Sequence, residues 1–482
     1  MSEPNAMSVH GQSNGPLWSG LGLIAPLQAW LLGAMPRGVT GISIDTRTLQ
    51  PGDLFFAIKG DAQDGHAHVA SAFAKGAAAA VVDEAHASGL RSAGPLFVVR
   101  DVLASMVSLG LAARQRSAAW IIAVTGSAGK TSTKEALRLV LSGFGQTHAS
   151  AASYNNHWGV PLTLARLPRA ARYGVFEIGM NHGGEITPLV AQVRPHVAIV
   201  TTVAPVHLEH FASLDAIAAA KAEIFSGLEK GGTAIINRDI GQYDLLDAAA
   251  QASAASRVLS FGEHPEADAR LDEFAPAADG SFIRASVLGQ ELSCRLGAPG
   301  KHMALNALAV LLAVQEVGGD LEAAASRLTD FMAAAGRGAR HQLAVDNATA
   351  LLIDESYNAN PASMRAALAL LGAAPKTANG RRIAVIGDML ELGPEGAAMH
   401  AALEADIIAQ NVDLVFAAGP LSSHLYNALP EVRRGLWVAQ AAGLEMPLRQ
   451  ALQAGDVIMI KGSNGSRMGP LVAALKQHFA GA

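Results

Sequence analysis

The chain has 482 residues, half of them apolar, and its 36 Lys and Arg against 41 Asp and Glu give a formal net charge of −5. At roughly 150 residues per domain, this length predicts about three domains with large buried cores. The acidic balance excludes the strongly basic class of nucleic-acid-binding proteins. The single cysteine, Cys294, excludes an intrachain disulfide, so we expect a reducing, cytoplasmic location.

The N-terminal region divides into a tail and a small domain. Residues 1–20 are rich in Gly, Pro and Ser and lack the basic start of a secretory signal, so we expect a loose tail there. The apolar run 21–35 contains a proline and is shorter than the ~20 residues of a membrane span, which predicts a helix of the first domain instead. Short apolar runs alternating with turns over 40–100 then indicate a small α/β domain spanning 21–116.

Two further α/β domains follow, a central one at 117–334 and a Rossmann-like one at 335–482. In the central domain the buried-strand runs WIIAVT, YGVFEIG, HVAIVTTV and GTAIIN alternate with loops and helices. This alternation predicts a parallel sheet with helices on both faces and ligands beyond the carboxyl ends of its strands. In the third domain the predicted strand ends carry Asp354, Glu355, Asp388 and Lys461.

The stretch TGSAGKT at 125–131 indicates a phosphate-binding loop in the central domain. Glycines let backbone N–H groups curl around phosphate oxygens, Lys130 would reach the β- and γ-phosphates, and Thr131 would ligate magnesium. The glycine that usually opens such a loop is replaced by Val124, which suggests a shorter variant. A plain glycine turn is the alternative, but the position between a strand and a helix favours phosphate.

Two polar residues follow neighbouring strands of the same sheet. Glu177 ends YGVFEIG, where a carboxylate can hold a metal or its waters, although a surface acid would look the same. His207 follows HVAIVTTV, and a lone histidine is more often structural than a ligand. Their related register raises the prospect of a shared metal site.

Lys221 lies on an apolar helical stripe with Ile217 and Ile224. A lysine on a buried face is costly unless it is paired. Either its stem snorkels and the ammonium reaches solvent, or desolvation lowers its pKa and leaves a reactive neutral amine. Such an amine can capture carbon dioxide as a carbamate, an anion able to ligate magnesium, and spacing alone leaves both alternatives open.

Two more residues have open alternatives. Asn306 opens an apolar helix, where it could read an adenine edge or merely pack and cap. Arg337 lies at the junction before the third domain, where it could cross to a γ-phosphate or remain a solvated hinge residue.

In chain order, a set of motifs resembles those of the Mur ligases of peptidoglycan synthesis, from about residue 40 to about residue 465: VTGSAGKTSTKE, SYNNHWGVPLT, FEIGMNHGGEI, HLEHF, AAKAEIF, GKHMALNALAV, DESYNANP, GDMLELG and KGS. The loop, EIG, AK and NALA are typical of the superfamily shared with folylpolyglutamate synthases. DESYNANP, GMNHGGEI and GDMLELG resemble the D-alanyl-D-alanine-adding branch.

This resemblance implies a cytoplasmic, monomeric, ATP- and Mg²⁺-dependent ligase that joins UDP-N-acetylmuramoyl-tripeptide to D-alanyl-D-alanine through an acyl phosphate. The three domains would bind the UDP substrate, ATP and D-alanyl-D-alanine in chain order. Lys130, Lys221 and Arg337 are the implied catalytic residues. The implied contacts are Ser43, Asp45, Thr46, Arg47, Asn155 and Asn156 for the UDP substrate; Thr125, Gly126, Ser127, Ala128, Gly129, Lys130, Thr131, Asn306, Arg337 and Glu355 or Asp354 for ATP; Thr131 for one magnesium ion and Glu177, His207 and a carbamylated Lys221 for a second; and Asn358, Asn360 and Lys461 for D-alanyl-D-alanine.

The sequence departs from the family pattern at Met303, where G-x-H-N usually has asparagine, and in the run NGSRMG after KGS. The alternatives are a Mur ligase that adds the third amino acid, a folylpolyglutamate synthase-like ligase, or a phosphate-loop regulatory ATPase. DESYNANP argues against the first two, and the polar strand ends of the third domain argue against the last.

Overall fold

The computed structural model of the chain describes residues 15–60, 63–151, 153–206, 209–277 and 279–480. The N-terminal lobe is a five-stranded sheet in the order β2-β7-β6-β5-β4, parallel except for β2. Its elements are β1 (Trp18–Ser19), α1 (Gly20–Leu27), β2 (Trp30–Leu32), β3 (Gly38–Val39), β4 (Gly41–Ser43), β5 (Asp53–Phe56), α2 (Val69–Ala74), β6 (Ala79–Asp83), α3 (Glu84–Leu90), β7 (Leu96–Val99) and α4 (Val102–Arg116).

The structure corrects two expectations for this lobe. The predicted loose tail over 1–20 is wrong at its end, because β1 pairs with β3 and the Trp18 side chain is buried. Residues 1–14 lie outside the described part of the chain. The helix predicted over 21–35 ends at Leu27, where Gln28 takes a left-handed conformation with φ 53° and stops the helix. The chain then turns into edge strand β2, so one apolar run serves both a helix and a strand.

The central lobe is a nine-stranded sheet in the order β16-β15-β14-β13-β12-β11-β8-β10-β9. Its elements are β8 (Trp120–Thr125), α5 (Lys130–Leu141), β9 (Thr147–Ala149), α6 (Gly159–Ala165), β10 (Tyr173–Glu177), α7 (Ile186–Val193), β11 (Val197–Val200), α8 (Leu214–Ala222), β12 (Gly232–Asn237), α9 (Tyr243–Gln251), β13 (Ala255–Gly262), β14 (Ala269–Ala277), β15 (Gly280–Val287), β16 (Gln290–Leu296), α10 (Lys301–Glu316) and α11 (Leu321–Arg327).

Strands β8 to β14 pair in parallel, as predicted. Strands β15 and β16 add an antiparallel extension next to β14, which the sequence interpretation did not include. The chain leaves β8 toward β9 and β10 on one side and later returns to its other side as β11. The strand order therefore reverses at β8, and such a reversal opens a crevice at the carboxyl ends of the strands.

The C-terminal lobe is a six-stranded sheet in the order β17-β18-β22-β19-β20-β21, parallel except for β17. The three mixed α/β lobes confirm the predicted fold class. The elements of the C-terminal lobe are β17 (Ala339–Val345), β18 (Ala348–Glu355), α12 (Pro361–Ala373), β19 (Arg382–Gly387), α13 (Gly396–Ala401), α14 (Leu403–Ala409), β20 (Leu414–Ala418), α15 (Ser422–Ala428), β21 (Arg434–Val438), α16 (Glu445–Ala451), β22 (Val457–Lys461) and α17 (Met468–His478). Within the described ranges, the helices lack the length and apolar character that crossing a bilayer requires.

Side-chain hydrogen bonds tie the N-terminal lobe to the central lobe. Trp18 Nε1 donates to the Ala165 carbonyl at 3.0 Å, and Arg166 Nε donates to the Ile42 carbonyl at 2.7 Å. The Arg116 guanidinium lies over the Trp18 ring, 3.3 Å from its centroid. One buried tryptophan therefore connects β1, α4 and α6.

We predict that Trp18→Ala lowers the thermal unfolding midpoint markedly, because truncating a buried tryptophan costs about 3–5 kcal/mol. Leu21→Ala is the matched control, since Leu21 is 74% exposed. Differential scanning calorimetry of both variants measures the effect. Equal midpoints for the two variants would contradict the anchoring role of Trp18.

Candidate active site

The phosphate loop joins β8 to α5, as the sequence predicted. Gly129 ends it with a left-handed φ of 82°, and a Cβ added there would lie 2.9 Å from Asn306 Nδ2. Only glycine meets both conditions, so Asn306 packs directly against the loop. The Lys130 ammonium donates to the Gly126 carbonyl at 2.6 Å. The first-turn N–H groups of α5 then provide the partial positive charge typical of a phosphate site.

A hydrogen-bonded set of oxygens lies beside this loop. Thr131 Oγ1 donates to Glu177 Oε2 at 2.8 Å, and Asn155 Nδ2 donates to the other oxygen, Oε1, also at 2.8 Å. Glu177 is almost completely buried at the end of β10. Hydroxyl and carboxylate oxygens are the hard ligands that Mg²⁺ prefers, so Thr131 and Glu177 fit a magnesium ion. His207, the third predicted ligand, lies outside the described residues.

Lys221 is buried on α8 and is only 2% exposed. Burial lowers the pKa of its ammonium well below the ordinary value, and the nearby Lys130 lowers it further. Among the described residues, none forms a hydrogen bond or an ion pair with this side chain. The structure thus supports the desolvated alternative over the snorkelling one. An amine this buried, with no counter-ion among the described residues, is favoured as the neutral form over the ammonium ion.

The pKa of Lys130 is lowered in the same way, first by burial and then by Arg337, and Glu177 partly opposes the shift. Electrostatic interactions link Lys130 to Lys221, Arg337 and Glu177, so three basic side chains are gathered around this buried carboxylate. The arrangement is short of negative charge, and a polyphosphate supplies it.

Arg337 reaches this site from the junction between the central and C-terminal lobes. Its Nη2 donates to Ser153 Oγ at 3.2 Å, and Ser153 Oγ lies 3.3 Å from Thr131 Oγ1. Its guanidinium also lies over the Tyr357 ring, 4.0 Å from the centroid. The arginine is therefore not the solvated hinge residue that the sequence left as an alternative.

The carboxyl ends of β18 and β22 face the phosphate loop. Glu355 Oε2 accepts a hydrogen bond from Lys461 Nζ at 3.2 Å, and the same ammonium donates to the Asn358 carbonyl at 2.9 Å. His302 lies near both charged groups, and burial lowers the pKa of its imidazole. These contacts join the predicted ribose residue to the predicted D-alanyl-D-alanine residues.

Asp354, the other ribose candidate, has a structural role instead. Its carboxylate accepts hydrogen bonds from the backbone N–H of Gly336 at 2.8 Å and from the Ser356 hydroxyl at 2.6 Å. Both carboxylate oxygens of Asp354 are engaged in these hydrogen bonds. Glu355 is therefore the better placed of the two acids to contact a ribose. Asp388 is also structural, since it is buried and accepts from the Ser422 N–H at 2.7 Å.

These groups open onto one cavity of about 470 Å³ between the central and C-terminal lobes. The cavity collects predicted phosphate, metal, nucleotide and amine residues from both lobes. Its lining includes Ser127, Ala128, Gly129, Lys130, Thr131, Asn155, Glu177, Asn306, Arg337, Glu355, Asn358, Asn360 and Lys461.

The cavity lining does not include Asn156, Thr125 or Gly126, and Asn360 has a second role besides lining it. Asn156 caps the turn before α6 by accepting from the Gly159 N–H at 2.9 Å. Thr125 is buried at the end of β8, and Gly126 contributes its carbonyl to Lys130. Asn360 lines the cavity but also caps α12, where its Oδ1 accepts from the Ser363 N–H at 2.8 Å.

The predicted UDP-substrate residues form a separate turn in the N-terminal lobe. Asp45 accepts from Arg47 through both carboxylate oxygens, and this hydrogen bonding lowers the pKa of Asp45. Ser43 Oγ donates to the Asp45 carbonyl at 3.0 Å, and Lys75 donates to the Thr46 carbonyl at 2.6 Å. The Arg47 side chain is 86% exposed, so its outer face is open to an anionic ligand.

Comparison with known proteins agrees with this architecture. Residues 38–119 match the Mur ligase family catalytic domain, 124–314 the Mur ligase middle domain, and 339–464 the Mur ligase glutamate ligase domain. A curated relative from Escherichia coli strain K12, UDP-N-acetylmuramoyl-tripeptide–D-alanyl-D-alanine ligase, is 36% identical over 91% of this chain and 94% of its own length.

The chain belongs to the Mur ligase family. Members of this family are ATP-dependent ligases. The relative of the same name from Bacillus subtilis is 31% identical over 91% of this chain and 93% of its own length. MurF from Acinetobacter baumannii has a similar structure, with a TM-score of 0.81, 29% identity and coverage of 95% of this chain and 99% of that one.

A more distant structure supports the fold of this Mur ligase. MurF ligase from Thermotoga maritima, solved in complex with ADP, has a TM-score of 0.76 at 22% identity and covers 91% of this chain and 98% of that one. At this identity the likeness concerns the fold alone.

The cavity residues that the sequence interpretation of this Mur ligase missed include Ser153, His302 and Tyr357. Ser153 lies in the motif SYNNHWGVPLT and Tyr357 in DESYNANP. In both motifs the predicted ligand contacts are the neighbouring asparagines and acids. Their roles come from contacts between distant loops, which no local spacing reveals. His302 stands beside Met303 in the adenine segment, so its motif position was the available signal.

We predict that Lys221→Met raises the unfolding midpoint of magnesium-free, carbon dioxide-free protein by several degrees at pH 7, because it removes a buried amine that has no partner among the described residues and that folding must desolvate. The lowered folded pKa lies below the ordinary 10.5, so between the two values the folded state holds fewer protons than the unfolded state. Wild-type stability therefore rises with pH in that window, and the gap to Lys221→Met narrows. Calorimetry at pH 7 and pH 9 measures this; a gap that widens with pH would refute it.

Proposed function

We propose that this Mur ligase joins the carboxyl terminus of UDP-N-acetylmuramoyl-tripeptide to the amino group of D-alanyl-D-alanine, using ATP. One observation carries the proposal: a phosphate loop, a buried carboxylate and the polar strand ends of the C-terminal lobe line the same cavity. The names of the curated relatives supply the substrates. The location would be the cytoplasm, in keeping with the free thiol of Cys294.

Activation of the carboxylate of the tripeptide substrate is the first chemical step. A carboxylate is a poor electrophile, so one of its oxygens attacks the γ-phosphorus of ATP, ADP leaves, and an acyl phosphate forms. Phosphoryl transfer depends mainly on positioning and on neutralising charge. Lys130 would reach the β- and γ-phosphates and Arg337 the terminal one, while Asn306, which lies beside the loop, would meet the adenine.

Amide formation is the second step. The amine nitrogen attacks the acyl carbon, inorganic phosphate leaves with the bonding electron pair, and the amine loses a proton. The amine substrate would enter from the C-terminal lobe, where Asn358, Asn360 and Lys461 line the cavity opposite the phosphate loop. Closure of the lobes would keep out water, which would otherwise hydrolyse the acyl phosphate.

Magnesium would be held by Thr131 and Glu177, with His207 and a carbamylated Lys221 proposed as further ligands. When bound, it offsets repulsion between the substrate carboxylate and the phosphates. Lys221 contributes as an anion in this scheme: its amine nitrogen bonds to the carbon of carbon dioxide and releases one proton. The lowered pKa of Lys221 favours the neutral amine that this addition requires.

We expect ADP release from ATP only when UDP-N-acetylmuramoyl-tripeptide and D-alanyl-D-alanine are both present, because the acyl phosphate must be consumed for turnover. A coupled assay that offers D-alanyl-D-alanine, meso-diaminopimelate or glutamate as the amine measures this, with mass spectrometry of the pentapeptide product. Lys130→Ala, without the phosphate-loop ammonium, sets the background. Turnover with glutamate alone would indicate a folylpolyglutamate-type ligase, and ATP hydrolysis indifferent to every amine would indicate a regulatory ATPase.

We expect Lys221→Ala to lose activity by about 100-fold or more, since it loses a metal-ligating anion. Millimolar acetate or propionate should restore part of it by placing a carboxylate in the vacated space. Lys221→Met keeps the volume filled and should resist rescue, which makes it the matched control. Rescue of both variants, or of neither, would count against a carbamate at this position.

A further inference from the structure

The loop that carries Arg337 is held tightly against the residues after β18. The Gly336 N–H donates to Asp354 at 2.8 Å, and the Tyr357 N–H donates to the Gly336 carbonyl at 3.1 Å. A Cβ at Gly336 would lie 2.8 Å from the Tyr357 Cβ, and the backbone there has a left-handed φ of 72°. Glycine at this position therefore lets the tyrosine and the arginine loop approach each other closely.

The Arg337 side chain is then held from two lobes at once. Tyr357 of the C-terminal lobe presents its ring, 4.0 Å from the guanidinium carbon, and Ser153 of the central lobe accepts a hydrogen bond at 3.2 Å. A contact through the ring face uses none of the guanidinium N–H groups, so those not bound to Ser153 remain available for a phosphate. Tyr357 lines the cavity and is 40% exposed, so its ring serves the site more than the core.

The hydroxyl of Tyr357 forms no hydrogen bond with any other residue in the described ranges. Its contact with Arg337 therefore depends on the aromatic face, which phenylalanine would reproduce. An aliphatic side chain of similar bulk would fill the space but would offer no quadrupole to a cation. This difference separates positioning through the ring from simple packing.

We propose that Tyr357 is a positioning residue that holds the Arg337 guanidinium toward the terminal phosphate of bound ATP. The inference rests on the proposed function, in which Arg337 recognises that phosphate. Tyr357 itself need touch neither the nucleotide nor the amine. Because the ring belongs to the C-terminal lobe, placement of the arginine requires that lobe to be docked.

Nucleotide binding without turnover provides the test. Isothermal titration calorimetry with Mg²⁺ would give the affinities for the ATP analogue AMP-PNP and for ADP, and their ratio reports recognition of the terminal phosphate. We expect Arg337→Ala to lower this ratio about 10-fold and Tyr357→Leu about three- to tenfold, the range of a cation–π contact. Tyr357→Phe should keep the ratio within about twofold of wild type.

The double variant Arg337→Ala/Tyr357→Leu is decisive. If the ring acts only through the arginine, the double variant matches Arg337→Ala, whereas additive losses would overturn the proposal. A loss in Tyr357→Phe as large as in Tyr357→Leu would also overturn it, by assigning the role to the hydroxyl. Phe282→Leu, an aromatic-to-leucine change at a side chain 55% exposed on β15, is the matched control and should bind like wild type.

Failure of this inference and failure of the proposed function give different results. A wild-type protein that prefers AMP-PNP but makes no pentapeptide would refute the ligase assignment and leave the arginine–tyrosine pair intact. A wild-type protein that forms pentapeptide but binds AMP-PNP and ADP equally well would refute the positioning role alone. Unchanged unfolding midpoints for the Tyr357 variants would exclude a folding defect as the cause of any loss.

Discussion

The site depends on an imbalance of charge at the end of β8. The basic side chains of Lys130, Lys221 and Arg337 are gathered near the buried carboxylate of Glu177, and burial lowers the pKa of both lysines. Such a cluster is unfavourable in the empty protein, because like charges repel and water is largely excluded. The negative charge of a polyphosphate offsets this repulsion. The same repulsion that destabilises the empty site therefore favours binding of that ligand.

The two sheets explain how distant residues reach that point. In the central lobe the strand order reverses at β8, which places the loop, Glu177 and Asn155 around one crevice. In the C-terminal lobe β18 and β22 are parallel neighbours, so Glu355 and Lys461 end side by side. Parallel strands deliver their carboxyl ends to one edge, and here two such edges face each other across a cavity.

The sequence predicted what periodicity and motif spacing encode. Continuous apolar runs predicted the parallel strands, GKT between a strand and a helix predicted the loop, and the helical stripe placed Lys221 on a face that the structure buries. The antiparallel strands β14, β15 and β16 were not predicted because their faces mix polar and apolar residues. The anchoring role of Trp18 was not predicted because its hydrogen-bond partner, the Ala165 carbonyl, is far along the chain. The engagement of Asp354 by the junction loop could not be read from spacing either.

The ties between the first two lobes also fix a length. Trp18 on Ala165 and Arg166 on Ile42 join β4, which leads into the Ser43–Arg47 turn, to the helix that follows the Asn155 segment. These buried contacts therefore help to set the interval between the Ser43–Arg47 turn and the phosphate loop. Under the proposed function such an interval would act as a molecular ruler: a nucleotide-linked peptide would present its carboxyl group to the γ-phosphate only when its chain spans the distance, so shorter precursors would be rejected by reach as well as by recognition.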